Sequence, residues 1–253
     1  MVSPVHRADA GGPARDDGRP VVAIGDVHGR ADLLGPLLDR IERDLPDARL
    51  ILLGDVIDRG PDVRGAVGLA MEVSARFPGS EVLLGNHENW LLETVAGEED
   101  AWRSWTSWGG AATLRDYGIA AELPPGAMAA AFEDEWPELL AFLRARPRLL
   151  HGRGAAEGHL FVHAGVDPLI PLDEQDERDL IWIREPFLSW DAPLEKRVVH
   201  GHTIATIPET RPHRIGIDTG AYRSGVLTAL VLEPDGTRRF IESRGRADLP
   251  FEG

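Results

Sequence analysis

The chain of 253 residues contains no cysteine. Disulfides, thiolate metal sites and thiol nucleophiles are therefore excluded, and with them any phosphatase chemistry that runs through a cysteine. If a metal is bound, its ligands are oxygen and imidazole. A reducing compartment is compatible with this absence but does not follow from it. Long apolar runs are missing as well. No stretch approaches the ~20 consecutive apolar residues of a membrane-spanning helix. Residues 1–20 are built from Gly, Pro, Asp, Arg and Ala without the hydrophobic segment of a signal peptide, and read as a disordered leader. Cytoplasm is the default location. Positive charge is scarce: 27 Lys and Arg stand against 42 Asp and Glu, a formal net charge of −15. That argues against nucleic-acid binding, which runs on basic surface. Two tyrosines leave the aromatic content to seven tryptophans and seven phenylalanines.

What the chain does have is a repeated event. Val21-Val22-Ala23-Ile24 runs into Gly25-Asp26-Val27-His28-Gly29. Leu50-Ile51-Leu52-Leu53 runs into Gly54-Asp55-Val56-Ile57-Asp58-Arg59-Gly60, and Glu81-Val82-Leu83-Leu84 into Gly85-Asn86-His87-Glu88. Leu160-Phe161-Val162 leads to His163-Ala164-Gly165, and Arg197-Val198-Val199 to His200-Gly201-His202. Each apolar run has the length and branching of a buried strand, and each stops at residues suited to metal binding. In an open α/β sheet, functional groups collect at the carboxyl ends of the strands. Asp26, His28, Asp55, Asn86, His87, His163, His200 and His202 are thereby brought to one edge as candidate ligands. The residue types point to two divalent ions, manganese first, with iron or zinc as alternatives. The sequence alone does not say which ligand serves which ion.

Between the blocks, Leu33, Leu34, Leu37, Leu38 and Ile41 recur at helical spacing over Ala31–Leu45, closed by Pro46. A second helix is expected over Val63–Arg76, before Pro78-Gly79. The opening is thus β-α-β-α-β, a parallel sheet. Residues 89–150 read as a helical cap inserted over the strand ends, holding Trp90, Trp102, Trp105, Trp108 and Trp136. Most of these tryptophans read as the cap's own core. Trp105 and Trp108, beside Gly109-Gly110, are the ones expected to face the cleft. Strands return at Leu160–Val162, Val198–Val199, Ile215–Asp218 and Leu227–Glu233. Thr237–Ser243 follows a Pro234-Asp235-Gly236 turn. Together they suggest a second sheet packed on the first. One domain is expected over 21–245, with a tail at 246–253.

The blocks resemble those of the calcineurin-like metallophosphoesterases, most of all the phosphoprotein phosphatase branch in its bacterial and phage members. Gly-Asp-x-His-Gly, Gly-Asp-x-x-Asp-Arg-Gly and Gly-Asn-His-Glu all occur here without departure. The resemblance runs from about Val21 to about Leu232. It implies an α/β fold (α+β by some schemes): a four-layer β-sandwich flanked by helices, carrying the helical cap. It also implies a pairing. One ion would take Asp26, His28 and the shared Asp55; the other would take Asp55, Asn86, His163 and His202. A bridging hydroxide would attack phosphorus directly. His87 would be the general acid, with Asp58 as its partner raising its pKa. Arg59 and Arg184 would clamp the phosphoryl group; Arg184 lies in Trp182-Ile183-Arg184-Glu185, similar to a Trp-x-Arg-Glu segment of the phage and bacterial enzymes. Glu88 reads as a hydrogen-bond partner of the site rather than a ligand. His200 competes with His202, since residues two apart in an extended segment share a face; the family pattern selects His202. Asp218-Thr219-Gly220 reads as a turn near the metals, with Tyr222 and Arg223 lining the cleft.

The activity implied is metal-dependent hydrolysis of phosphoserine and phosphothreonine. The alternative is hydrolysis of a nucleotide or dinucleoside polyphosphate on the same site, with the cap tryptophans stacking a base. His28 weighs against the symmetrical diadenosine-tetraphosphate hydrolases, which usually carry Gln there. A pseudoenzyme is opposed by the completeness of the motif residues. The expected partners are therefore a phosphoprotein or a phosphorylated small molecule or nucleotide, with no nucleic acid and no membrane. A monomer is the default.

Overall fold

The computed structural model describes residues 18–247, so the expected leader lies almost wholly, and the tail partly, outside the described residues. Two mixed five-stranded sheets face each other. The first has the order β10-β9-β1-β2-β3, built from β1 (Val21–Ile24), β2 (Arg49–Leu52), β3 (Glu81–Val82), β9 (Val226–Leu232) and β10 (Arg238–Arg244). The second has the order β4-β5-β6-β8-β7, built from β4 (Leu149–His151), β5 (His159–Val162), β6 (Arg197–His200), β7 (Glu209–Thr210) and β8 (Arg214–Gly216). β1, β2 and β3 run parallel, as do β5, β6 and β8.

The period-2 alternation of each strand splits its side chains between two cores. Val21, Ala23, Ile51, Leu53, Phe161, Val199, Ile215 and Leu230 fill the space between the sheets. Val22, Ile24, Leu50 and Leu52 face outward onto α1 (Ala31–Asp44) and α2 (Val63–Arg76). All five apolar residues picked out by spacing in the first helix are buried. Asp62 starts α2 by accepting from the Gly65 amide at 2.8 Å. On the far side Leu160, Val162 and Val198 pack against α8 (Glu177–Trp182) and Phe187. The layers are therefore helix, sheet, sheet, helix.

One expectation needs correction. The strands of the second half do not all form the second sheet: β9 and β10 join the first, with β9 antiparallel to β1 from Val21↔Leu232 to Ile24↔Ala229. Leu227, Ala229 and Val231 pack on the helices while Leu230 and Leu232 face the second sheet, so β9 is a central strand buried on both faces. The hairpin turn itself falls where expected, with the Glu233 amide donating to the Thr237 carbonyl at 2.9 Å.

Between β3 and β4 the chain is helical: α3 (Asn86–Val95), α4 (Glu99–Trp105), a π-turn at Thr106–Gly110, α5 (Ala111–Tyr117), α6 (Pro125–Glu135) and α7 (Pro137–Arg144). A short α9 (Ala221–Ser224) precedes β9. Among the described residues, no helix is long and apolar enough to cross a membrane.

Candidate active site

The parallel strands of both sheets end at one place. Asp26 and His28 follow β1, Asp55 follows β2, Asn86 opens α3 just after β3, His163 follows β5, and His202 follows β6. Among the described residues, the only five non-glycine positions with positive φ are His28, Asp55, Asp58, Arg59 and His202. Such conformations cost of order 1–3 kcal/mol each and persist where the surroundings enforce them. All five are residues that the sequence motifs single out.

Two groups of ligand atoms meet at Asp55. His28, Asp55 and His87 form one, and Asp55, His163 and His202 the other. The Oδ2 of Asp55 lies 3.4 Å from His28 Nε2 and 3.4 Å from His163 Nε2. Asn86 Oδ1 lies 2.8 Å from His163 Nε2 and 2.9 Å from His202 Nδ1. Asp26 accepts from the His202 amide at 3.2 and 3.1 Å through its two carboxylate oxygens. The close approach depends on Gly85, where a Cβ would stand 2.2 Å from Asp55 Oδ1.

Divalent ions fit this donor set. His28 Nδ1 donates to the Ile57 carbonyl and His163 Nδ1 to the Leu53 carbonyl, each at 2.9 Å. A backbone acceptor on one ring nitrogen leaves the other bare as a lone pair, the usual arrangement of a ligating histidine. His202 Nε2 is buried with no hydrogen-bond partner. Burial, the largest influence throughout, pushes His28 and His202 well below the usual imidazole range and His163 down to about 4. It raises Asp26 and pushes Asp55 up to about 7. Neutral rings and strained carboxyls crowded together are what a bound cation relieves.

Beside the other candidate ligands, His87 Nδ1 donates to Asp58 Oδ2 at 2.6 Å. The expectation that Asp58 raises the imidazole pKa does not hold. Burial comes first and the charge of Arg59 second, and together they hold His87 well below its usual range. Burial likewise pushes the Asp58 carboxyl up to about 7, against the pull of its hydrogen bonds from Thr113 and Trp105. Arg59 sits across the site: its Nη1 is 2.8 Å from His28 Nε2 and its Nη2 is 2.9 Å from His87 Nε2. Its amide donates to the Gly109 carbonyl at 3.1 Å and its guanidinium lies 4.7 Å from the Tyr222 ring centre. Arg184 is exposed, near enough to His202 for its charge to lower that ring's basicity.

The other expected neighbours fall as follows. Glu88 is buried and accepts from the amides of Asp55, Val56, Ile57 and Gly85 at 2.7–3.1 Å, fixing the loop after β2. His200 is buried but packs against Phe187 on the outer face of the second sheet, ring centres 5.2 Å apart. His202 escapes that face because its φ of 60° breaks the strand alternation. Tyr222 stands edge-on to His28 at 5.6 Å. Of the tryptophans, Trp108 is 57 % exposed, with its carbonyl 3.3 Å from Arg59 Nε, whereas Trp105 is fully buried. Trp90 and Trp182 form an edge-to-face pair at 4.6 Å that spans from His87 to His202.

Two features go beyond what was anticipated. Asp218, expected only as part of a turn near the metals, is buried close enough to Asp26 for the two carboxyls to influence each other, adding a carboxylate to the cluster. Its position after the apolar Ile215-Gly216-Ile217 repeats the strand-end signature and was the available signal. Trp105 and Thr113 both bond Asp58; nothing local in the sequence announces that contact across 47 and 55 residues.

Comparison with known proteins bears on this geometry. The family model for calcineurin-like phosphoesterase matches residues 19–223. A protein of Cellvibrio japonicus named "Bis(5'-nucleosyl)-tetraphosphatase, symmetrical" is 32% identical over 152 residues, covering 60% of this chain and 47% of that protein. The serine/threonine-protein phosphatase ppe1 of Schizosaccharomyces pombe is 40% identical over 83 residues, 32% of this chain and 27% of that one. A solved structure provisionally identified as a diadenosine tetraphosphatase aligns with a TM-score of 0.64 at 23% identity, covering 91% of this chain and 96% of the other. The last likeness concerns the fold alone. The matched stretch spans less than half the length of these curated relatives.

Proposed function

The chain belongs to the calcineurin-like phosphoesterases, and we propose that it is a divalent-metal-dependent phosphohydrolase acting on nucleoside polyphosphates, dinucleoside tetraphosphates foremost. The observation that carries the hydrolase reading is Asp55, whose one carboxylate oxygen stands 3.4 Å from a histidine of each ligand group. Asp26, His28 and Asp55 would hold one ion, and Asp55, Asn86, His163 and His202 the other. When bound, such a pair supplies Lewis acidity toward phosphoryl oxygens and lowers the pKa of a water between them. Manganese suits the oxygen and imidazole donors, as do iron and zinc.

The protein's own groups do the rest. Arg59, already held by Gly109, Trp108 and Tyr222, offers its guanidinium fork to the phosphoryl group, and Arg184, in the loop just after α8, joins it. His87, steered by Asp58, delivers a proton from Nε2 to the leaving oxygen as the P–O bond breaks; burial and the Arg59 charge keep the ring neutral in the ion-free protein, so this proton is one taken up at Nε2 once the anionic phosphoryl group offsets Arg59. Water adds to phosphorus, so the products are a phosphate and the protonated leaving group. The nucleotide class is supported by the names of the curated relatives and by the exposed Trp108 beside Arg59, with the half-buried Trp90–Trp182 pair between His87 and His202. Exposed indoles are what nucleobases stack on. Phosphoserine and phosphothreonine proteins are the second reading, supported by the match to ppe1 and by His28, where the symmetrical tetraphosphatases usually carry Gln.

The test is a substrate panel on protein stripped of metal and reloaded with manganese, iron or zinc. Preference for diadenosine tetraphosphate over phosphoserine and phosphothreonine peptides in kcat/KM supports the nucleotide reading. The reverse preference replaces it with the phosphoprotein reading, and no metal-dependent turnover on any of them sinks both.

A further inference from the structure

We propose that Trp105 and Thr113, from the helical segment after β3, are positioning residues for His87 that act through Asp58. The inference rests on the role given above to His87 as proton donor to the leaving oxygen.

Asp58 is fully buried, and its carboxylate is tied on every side. Its Oδ1 accepts from Thr113 Oγ1 at 2.5 Å and from Trp105 Nε1 at 3.1 Å. Its Oδ2 lies 2.9 Å from the same indole nitrogen and 2.6 Å from His87 Nδ1. The Asp58 amide in turn donates to Thr113 Oγ1 at 3.2 Å, so one hydroxyl grips both the backbone and the side chain. This matters because Asp58 sits at φ 72°, which a non-glycine residue adopts only under constraint.

The indole is itself locked. Trp105 has no exposed surface, and a Cβ on Gly110 would stand 2.6 Å from its ring. One N–H shared between both carboxylate oxygens fixes the plane of the Asp58 carboxylate. That plane sets the direction of the His87 Nδ1–H bond and therefore where His87 Nε2 points. Nε2 faces the reaction centre, 3.9 Å from Asp55 Oδ2 and against Arg59. Satisfying a buried carboxylate explains why donors are present. It does not explain a bifurcated donor and a two-point hydroxyl arranged so that the remaining acceptor direction is the one His87 occupies.

A general acid contributes about 10²–10⁴ in rate, and small displacements of a catalytic group are expensive. Thr113→Val keeps the shape and removes the hydroxyl; Thr113→Ser keeps the hydroxyl. On a substrate with a poor leaving group, such as phenyl phosphate, Thr113→Val should lower kcat about tenfold with KM unchanged, since part of the acid's contribution goes with its aim. On dinitrophenyl phosphate, whose leaving group departs without a proton, the loss should be within about twofold for the same reason. Thr113→Ser should restore the poor-leaving-group rate, and all variants should retain two bound ions by elemental analysis. Trp105→Phe should move in the same direction as Thr113→Val. His87→Asn is the reference and should show the same selectivity, larger. Equal losses on both substrates with Thr113→Val, failure of serine to rescue, or loss of ions would overturn the inference while leaving His87 its role. A His87→Asn variant with no leaving-group selectivity would overturn the role itself, and the inference with it.

Discussion

Replacing Asp55 by asparagine removes the charge that the two ligand sets share and nearly preserves the shape. The sets differ in what remains. The first keeps Asp26 as an anion; the second is left with Asn86, His163 and His202, all neutral donors. A dication and a carboxylate oxygen about 2.1 Å apart attract by about 4 kcal/mol even at the dielectric constant of bulk water, and by more in this buried setting. Part is returned because the asparagine oxygen remains a donor, and because burial pushes the Asp55 carboxyl up to about 7, so that near neutral pH ion binding must first expel a proton from some of the molecules. The net expectation is binding weakened about a thousandfold at the second set, using 1.4 kcal/mol per factor of ten, and less at the first. Elemental analysis after dialysis against manganese at about ten times the wild-type dissociation constant should find the count fall from two ions per chain to one or none, and calorimetry should give the remaining affinity. Two ions retained by Asp55→Asn, with affinity within a few-fold of wild type, would refute the sharing of Asp55.

Asp58 and Glu88 are both pushed up to about 7 by burial. Between the usual carboxylate range and pH 7 each of these two carboxyls holds more protons in the folded, ion-free protein than in the unfolded chain. Each therefore contributes stability that is fullest toward the acid end of that window and is lost as pH rises to 7, by up to about 1.4 kcal/mol per pH unit. The buried histidines, held below their usual range, work the other way, so the test compares chelated wild type with Glu88→Gln: the wild type's melting temperature should fall relative to the variant's from pH 5.5 to pH 8, and the opposite trend would contradict the assignment. Gly109 adopts φ 117°, and a Cβ there would stand 2.6 Å from Arg59 Cγ. Gly109→Ala should destabilise the protein by about 1–3 kcal/mol through strain and raise KM by displacing the guanidinium; an unchanged KM would show that Arg59 does not grip substrate.

Much of the candidate site was legible because each candidate ligand follows a short buried strand, in most cases at a glycine, a pattern visible residue by residue. The helices around the first sheet were legible for the same reason: Leu33 to Ile41 repeats with the period of a helix face. Strand order was not. Val226–Leu232 is apolar on both faces, and nothing in its period tells which sheet it enters. β4 and β7, three and two residues long, are too short to carry a period. His200 and His202 look equivalent by alternation, and only the positive φ of His202 separates them. The hold of Trp105 and Thr113 on Asp58 is a product of tertiary packing, since the partners lie on separate elements. The depressed basicity of His87 is likewise tertiary. A carboxylate beside an imidazole suggests a raised pKa until burial and the Arg59 charge are added.

The account turns on two ions sharing one carboxylate, and one titration reaches it directly. Chelated protein is taken through increasing manganese while bound ions per chain and hydrolysis of an aryl phosphate are read on the same samples. Turnover that rises only as the count passes from one to two, and saturates at two, is the predicted result. Full activity at one ion per chain, or turnover that persists in chelator, would contradict the dinuclear site.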